Sequence, residues 1–367
     1  MKRILIILSL IAFTFVLSNN TLAQGCDAPS SDEGVQVFGY VQAESRTYFT
    51  EEPTSSFAFR RARLGVMGNI PYDFSYYVLL ETSPFMSPET KAPFLLDAFI
   101  SYTRYKYFKV SVGSFKYRFG NELSMPCNGL YTINRSKSVD VLTGGLTGKN
   151  RDIGIMFLGG DKSTKLQYFV SLTNGYGLLK TDSVNLLDAY ALSGRVVFQP
   201  IEGLSLGASY RKMINPPMDA SIETGDVKNR FGFDAQYKFR ELTIIGEYIH
   251  GVDDGSYMAS GGGCGGDAPV YAIGTQTANA FYGTLAYKWR NFEPVYKLEN
   301  YLRLTEKEGG ITSEESDLWQ TIGLNYYPND WTRIQLNYLY KAEKSDNILV
   351  PAEVKNDALL IQLQVKF

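Results

Sequence analysis

Arg61 and Arg63 stand two residues apart in a segment, Phe57 to Leu64, that otherwise reads as a strand. In extended chain both guanidiniums leave the same face, about 7 Å apart. At that spacing an anion can pass from one planar, multiply donating cation to the next. Basic residues recur on polar strand faces further along, at Lys116, Arg118, Arg195, Arg211 and Arg333, and Arg135 and Lys137 lie in the stretch Gly120 to Asn150, which has no strand alternation. On the same faces stand Glu81, Asp97, Asp152, Asp234, Glu247, Glu293 and Glu299. With Arg230, Lys238, Lys288, Lys297, Arg303, Lys341 and Lys366 also on these faces, the bases outnumber the acids about two to one, although the chain has a formal net charge of -2. Cations gathered along a wet wall attract anions and raise their local concentration. The competing reading is that the arginines pair with Glu81, Asp97 and Asp152 on neighbouring strands and only stiffen the wall.

Other chemistries find little support. The single histidine, His250, is followed by Gly251, Asp253 and Asp254 and reads as an interface side chain rather than a catalytic base. With three scattered cysteines it builds no zinc site. The run Gly261 to Gly266 is followed by neither lysine nor helix, so it is no phosphate cradle. No enzyme activity, metal or cofactor is expected, and the charge balance carries no nucleic-acid footprint. Cys127 and Cys264 both fall in stretches placed on the outer side, which leaves a bridge between them open. Cys26 follows Gln24 and Gly25, a poor match to a lipoprotein box.

What must position the arginines is a set of strands with one greasy and one wet face. From Asp357, the residues Leu359, Ile361, Leu363, Val365 and Phe367 share one face, with Gln362, Gln364 and Lys366 on the other. Leu204 to Arg211, Arg230 to Phe239 and Arg333 to Lys341 alternate likewise. A charge at the bilayer midplane costs about 2–4 kcal/mol, so the apolar set faces lipid and the charged set a watery lumen. Aromatics form 14% of the 367 residues, with 26 Tyr and 22 Phe; a membrane barrel needs them at its two lipid interfaces. Tight connections (Ile70 to Asp73, Arg104 to Phe108, Gly159 to Ser163, Gln199 to Gly203, Phe239 to Leu242, Trp289 to Phe292, Pro328 to Trp331) alternate with longer polar stretches. The longer ones include Gly120 to Asn150 and Gly251 to Thr277. The tight turns read as periplasmic and the long ones as extracellular, giving an all-β transmembrane antiparallel barrel of about 16 strands.

Lys2 and Arg3 precede an apolar run, Ile4 to Leu17, that is short of the roughly 20 residues a spanning helix needs, and Leu22-Ala23-Gln24 resembles a processing site. The expected organisation is a signal peptide over 1–23, a short periplasmic segment over 24–33 and the barrel over 34–367.

Several segments together resemble the phosphate-selective porins O and P. They are Phe59-Arg60-Arg61-Ala62-Arg63-Leu64-Gly65, Leu96-Asp97-Ala98-Phe99-Ile100, Val112-Gly113-Ser114-Phe115-Lys116 leading to Glu122, Asn134-Arg135-Ser136, and Arg151-Asp152-Ile153-Gly154. Past about Asn174 the resemblance is architectural only. It implies a sixteen-stranded, usually trimeric outer-membrane channel whose third extracellular loop, Gly120 to Asn150, folds inward. It also implies that anions pass basic lumen side chains. The expected function is passive diffusion of small hydrophilic solutes with an anion preference that could extend to phosphate. The alternative is a surface barrel with a plugged lumen whose loops bind a partner. Expected partners are outer-membrane lipid and lipopolysaccharide, the barrel-assembly machinery reading the Phe367 strand, and two further copies of the chain in a homotrimer.

Overall fold

The computed structural model describes residues 34–71, 73–83, 93–144, 150–175, 177, 189–215, 226–260, 270–307, 311–346, 353 and 355–367. The leader, Cys26 and Cys264 lie outside them. The strands run β1 (Gln36–Phe49), β2 (Thr54–Ile70), β3 (Phe74–Glu81), β4 (Phe94–Tyr105), β5 (Phe108–Lys116), β6 (Arg151–Gly159), β7 (Leu166–Thr173) and β8 (Tyr190–Phe198). They continue with β9 (Leu204–Asn215), β10 (Asp226–Phe239), β11 (Leu242–Ser260), β12 (Val270–Tyr287), β13 (Phe292–Lys307), β14 (Ile311–Tyr326), β15 (Thr332–Ser345) and β16 (Asp357–Lys366). Each pairs antiparallel with its sequence neighbours, and β1 pairs with β16 from Tyr40↔Lys366 to Phe49↔Asp357, so the sheet closes without an edge.

The alternation read in the sequence sets the two faces. Phe231 and Phe233, Leu336 and Tyr338, and Ile361, Leu363 and Val365 are exposed outward. Arg230 and Asp234, Gln335 and Asn337, and Gln362 and Gln364 are buried inward. At the tight-turn end an aromatic rim includes Phe74 on Tyr102 (centroids 5.3 Å apart) and Phe292 on Tyr326 (4.9 Å), suited to a lipid-water interface. All seven tight turns fall where the sequence places them.

The loops differ in one respect. Gly251 to Thr277 reads as loop in the sequence, but β11 runs to Ser260 and β12 starts at Val270, paired almost throughout. Nineteen residues in β11 at about 3.3 Å rise and about 45° tilt stand well above a hydrocarbon layer of about 30 Å. Above the lipid both faces are wet, so polar residues such as Asp253 and Asp254 pair through their backbones with no apolar stripe to announce the strand.

After β5 the chain turns into the barrel. It forms a short helix α1 (Asn121–Ser124), a 3-10 turn (Cys127–Gly129) and a helix α2 (Lys137–Leu142) before returning at β6. The Ser136 hydroxyl caps α2 by accepting from the amide of Val139 (3.3 Å). Tyr117, Phe119, Leu123, Val139 and Leu142 of this loop pack on inward-facing Ile245, Ile249, Ala278, Ala280 and Tyr282. Burying a large apolar side chain contributes about 1.5–3 kcal/mol, so the loop docks on the β11–β13 wall by an apolar seam inside an otherwise polar lumen. A second interior cluster, Phe38, Met67, Tyr77, Leu79, Phe99, Phe115 and Met156, fills the lumen side of β1–β6.

Candidate functional site: the inward loop and the arginine wall

A β-bulge decides how β2 presents its arginines. Gln42 pairs with Arg61 and Ala43 with Phe59, leaving Arg60 as the extra residue. Without the bulge, Arg61 and Arg63 would share the lipid-facing side of Phe57 and Phe59, both exposed outward. The extra residue turns them inward. It also brings Arg60 inward, its Nη1 4.0 Å from the buried carboxylate of Glu44. The sequence reading passed over Arg60. The available signal was a parity conflict, with phenylalanines at 57 and 59 followed by arginines at 61 and 63.

The nine nominated residues separate into those neutralised by carboxylates and those held by neutral groups. Arg63 Nε pairs with Glu81 at 2.8 Å, and its Nη1 donates to the Tyr40 hydroxyl at 2.8 Å. Arg195 makes two bonds to Asp234, at 2.5 and 3.0 Å. Lys137 Nζ lies 2.5 Å from Asp317. These pairings, with Arg151 on Asp97 at 3.0 Å, match the wall-stiffening reading. Four others have no carboxylate among their hydrogen-bond partners in the described residues; those of Arg61, Arg211 and Arg333 are neutral, while Arg135 also meets the acidified Cys127 sulfur. Arg61 donates to Gln42 Oε1 (2.9 Å). Arg135 donates to the carbonyls of Glu122 and Met125 and to the Cys127 sulfur. Arg211 donates to the Ser193 hydroxyl (2.6 Å) and lies 3.6 Å from the Tyr117 ring centroid. Arg333 donates to the Leu130 carbonyl (2.9 Å) and Gln364 Oε1 (3.0 Å).

Lys116 and Arg118 mark where β5 leaves the wall. Val112 is exposed outward and Phe115 buried inward. Lys116 Nζ then reaches the Met125 carbonyl (3.0 Å), and Arg118 reaches the Ser124 carbonyl (3.4 Å) and lies over Phe169. The two residues therefore brace the root of the inward loop.

Further anchors fix the loop across the lumen. Glu247 of β11 accepts from the amides of Asn121 and Glu122 at 2.9 and 3.0 Å. Lys297 of β13 pairs with Glu122 at 2.7 Å, and Glu122 also accepts from the Ser136 amide at 2.6 Å. Glu299 accepts from the Lys137 amide (2.7 Å), and Asn337 of β15 from the amide of Ile133 (2.7 Å). Gly120 has φ +55, and a Cβ there would collide with the Glu247 carboxylate. Neither Lys297 nor Asp317 was singled out in the sequence as a loop anchor. The available signal was a lysine and an acid on wet faces opposite a long loop that carries charges of its own.

Cys127, expected on the outer side, is instead a buried free thiol under the loop. Its Sγ accepts from Arg63 (3.4 Å) and Arg135 (3.4 and 3.5 Å). Burial alone would raise the thiol, but Arg135, Arg61, Arg63 and Lys116 outweigh it and hold it well below the ordinary thiol range. On α2, Asp140 behaves oppositely. Burial pushes its carboxyl up to about 6, with Glu122 adding to the rise while Arg135, Arg60 and Lys297 pull against it. His250 pairs directly with outward-facing Phe231 and meets Asn279 Oδ1 at 2.9 Å, so it lies on the outer wall away from the lumen.

Three solved structures share this fold at low sequence identity. OmpF of Salmonella typhi in complex with daunomycin matches with a TM-score of 0.68 at 11% identity, over 91% of this chain and 97% of its own. An anion-selective porin from Comamonas acidovorans gives 0.63 at 12%, over 91% and 99%. OmpT of Vibrio cholerae, folded in vitro in a trimer form, gives 0.60 at 13%, over 91% and 100%. No curated relative matches the chain. The bulged Arg60-Arg61 segment, the inward loop and its root all fall within residues 38–226, which match the family model of the phosphate-selective porins O and P. That span is more than half of the chain, which therefore belongs to this family of outer-membrane porins, channels rather than enzymes.

Proposed function

We propose that this porin is a passive channel with an anion bias, set at the narrowing between the inward loop and the β1–β2 wall. The observation that supports the bias is the set of three guanidiniums, on Arg61, Arg211 and Arg333, whose hydrogen-bond partners among the described residues are all neutral. A cation balanced by a carboxylate adds little net field along the path, whereas one held by amide and hydroxyl oxygens keeps its charge for a passing solute. Arg61, only half-buried, is the member nearest lumen water, beside the bulged Arg60. On this reading Arg63, Lys137 and Arg195 shape the path through their ion pairs, while Lys116 and Arg118 hold the loop root. Phosphate fits the same donors through planar, multiply donated contacts.

The proposal extends to assembly. Residues 1–23 serve as an export leader and 24–33 as a short periplasmic lead-in. The β16 strand ending at Phe367 is read by the barrel-assembly machinery, the aromatic rims sit among outer-membrane lipid and lipopolysaccharide, and three copies associate. The trimer form of the structurally similar OmpT is compatible with that last point.

Planar-bilayer recording of the purified protein in chloride, with phosphate then titrated in, tests the function. Stepwise chloride currents that low phosphate blocks support an anion site on these arginines. Unblocked currents reduce the reading to a general porin, and silence favours a plugged barrel whose loops bind a partner.

A further inference from the structure

Polar side chains interrupt the apolar outer wall on the neighbouring strands β9–β12. In one outward row Tyr210 pairs with Phe231, Phe231 with His250, and His250 with Asn279. In the next outward row toward the long-loop end, Lys212 pairs with Asn229. Lys212, Asn229, His250 and Asn279 are all half-buried, and below them Phe233, Tyr248 and Phe281 are exposed on the same faces. Asn229 and Asn279 each stand about ten residues of chain from an exposed aromatic of the tight-turn rim, Phe239 and Trp289. At a tilt of about 40° that is about 25 Å, the height of an outer-membrane apolar band. The patch therefore lies at headgroup level on the outer leaflet.

Its internal hydrogen bonds occupy the amide oxygens. Tyr210 donates its hydroxyl to Asn229 Oδ1 at 3.1 Å, and Tyr248 donates to Asn279 Oδ1 at 2.7 Å. His250 Nδ1 meets that same Asn279 oxygen at 2.9 Å, so it carries the proton. Both asparagines are thus turned with their Nδ2 groups, two N–H donors each, left for an outside partner. Lys212 adds an ammonium without a carboxylate partner among the described residues, and His250 Nε2 donates as well in the imidazolium form. Asp254, further along the same face of β11, is engaged by the Thr275 hydroxyl at 2.7 Å.

We propose that this outer-wall patch is a binding site for the phosphorylated sugar headgroup of lipopolysaccharide: Lys212 and the Asn229 amide hold a phosphate, and the Asn279 amide with His250 holds the adjoining sugar. The inference rests on the lipid contact proposed above, to which it gives residues, and is independent of the anion bias. Lys212 and Asn229 are directly opposed on adjacent strands, about 5 Å apart, so one phosphate reaches both. Asn279 lies two strands beyond Asn229, about 10 Å away, too far for the same phosphate and within reach of a sugar linked to it. The acyl chains of such a lipid run down the apolar stripe beneath, along Phe233, Tyr248 and Phe281. Charge, height and the stripe together fit an anchored glycolipid better than a free anion.

Native mass spectrometry of the refolded protein, released from micelles containing either bisphosphorylated lipid A or its dephosphorylated form, tests this. Wild type should retain the phosphorylated lipid about tenfold more strongly, on the order of one charge-assisted hydrogen bond. The double variant Lys212→Gln with Asn229→Leu should lose that preference. Lys344→Gln, which removes an exposed lysine of β15 outside the patch, should keep it. Heat-modifiable migration in gels and unchanged single-channel conductance confirm that each variant is folded. A preference that survives the double variant, or falls equally in Lys344→Gln, overturns the patch and leaves lipopolysaccharide contact elsewhere on the wall standing. A wild type that binds both lipids equally overturns both. Inorganic phosphate that displaces the lipid at equal concentration overturns the glycolipid as the occupant.

Discussion

The lumen wall has two unlike arcs. Strands β3 and β5–β8 are eight or nine residues long, and β1–β6 line their inner side with an apolar cluster in which Phe115 and Met156 are fully buried. Strands β10–β15 have 14 to 19 residues. Their inner side carries Glu247, Lys297, Asn325, Gln335 and Asn337, all five bonded to the inward loop. The β1–β6 side is thus a packed wall that bears the half-buried Arg60 and Arg61 at the β2 bulge. The tall arc is a polar scaffold whose Glu247 and Lys297 charges are spent on holding the loop. Charge in a pore has two separate uses, and the partner of each side chain shows which one applies: ion pairs position the constriction, and cations on neutral acceptors act on the solute.

Breaking the scaffold of the tall arc should have the largest effect. Lys297→Met leaves Glu122 buried without its cation, a loss of about 3–5 kcal/mol for a buried pair broken on one side. Thermal unfolding should shift down, and single-channel conductance should rise and become noisier as the loop loosens. Phe115→Ala in the short arc should destabilise by about 3–4 kcal/mol through its cavity while leaving permeability ratios unchanged, which separates packing from selectivity. Gly120→Ala should cost about 1–2 kcal/mol for the left-handed backbone alone, with more from the Glu247 collision, and should again act on conductance. Removing the exposed Arg104–Asp73 contact at a tight turn should change stability by no more than about 1 kcal/mol. A large effect there would show that the two-arc account misplaces the stabilising charges.

The sequence made the outer face legible because lipid imposes a strict rule, no charge on every second residue, and strands such as β10, β15 and β16 obey it. The tight turns were legible because they interrupt that rhythm at short range. The inner face obeys no such rule. Phe99 and Ile245 are apolar on it because one packs in the short arc and the other receives the loop, and neither reason is local. The bulge at Arg60 depends on the register against β1, which only the pairing reveals. The upper reaches of β11 and β12 were missed because strands that stand in water on both sides lose their period. The loop's charges were visible, but which of them would find partners was not, since Lys297 and Asp317 lie 160 residues or more from Glu122 and Lys137.

The most direct test compares reversal potentials in a potassium chloride gradient for three proteins: wild type, Arg61→Gln, and the double variant Arg195→Gln with Asp234→Asn. The account predicts an anion-selective wild type. Loss of the Arg61 charge should lower the permeability ratio by about fivefold, near 1 kcal/mol, and removal of the buried Arg195–Asp234 pair should leave the ratio unchanged. Equal losses in both variants, or none in Arg61→Gln, would contradict it.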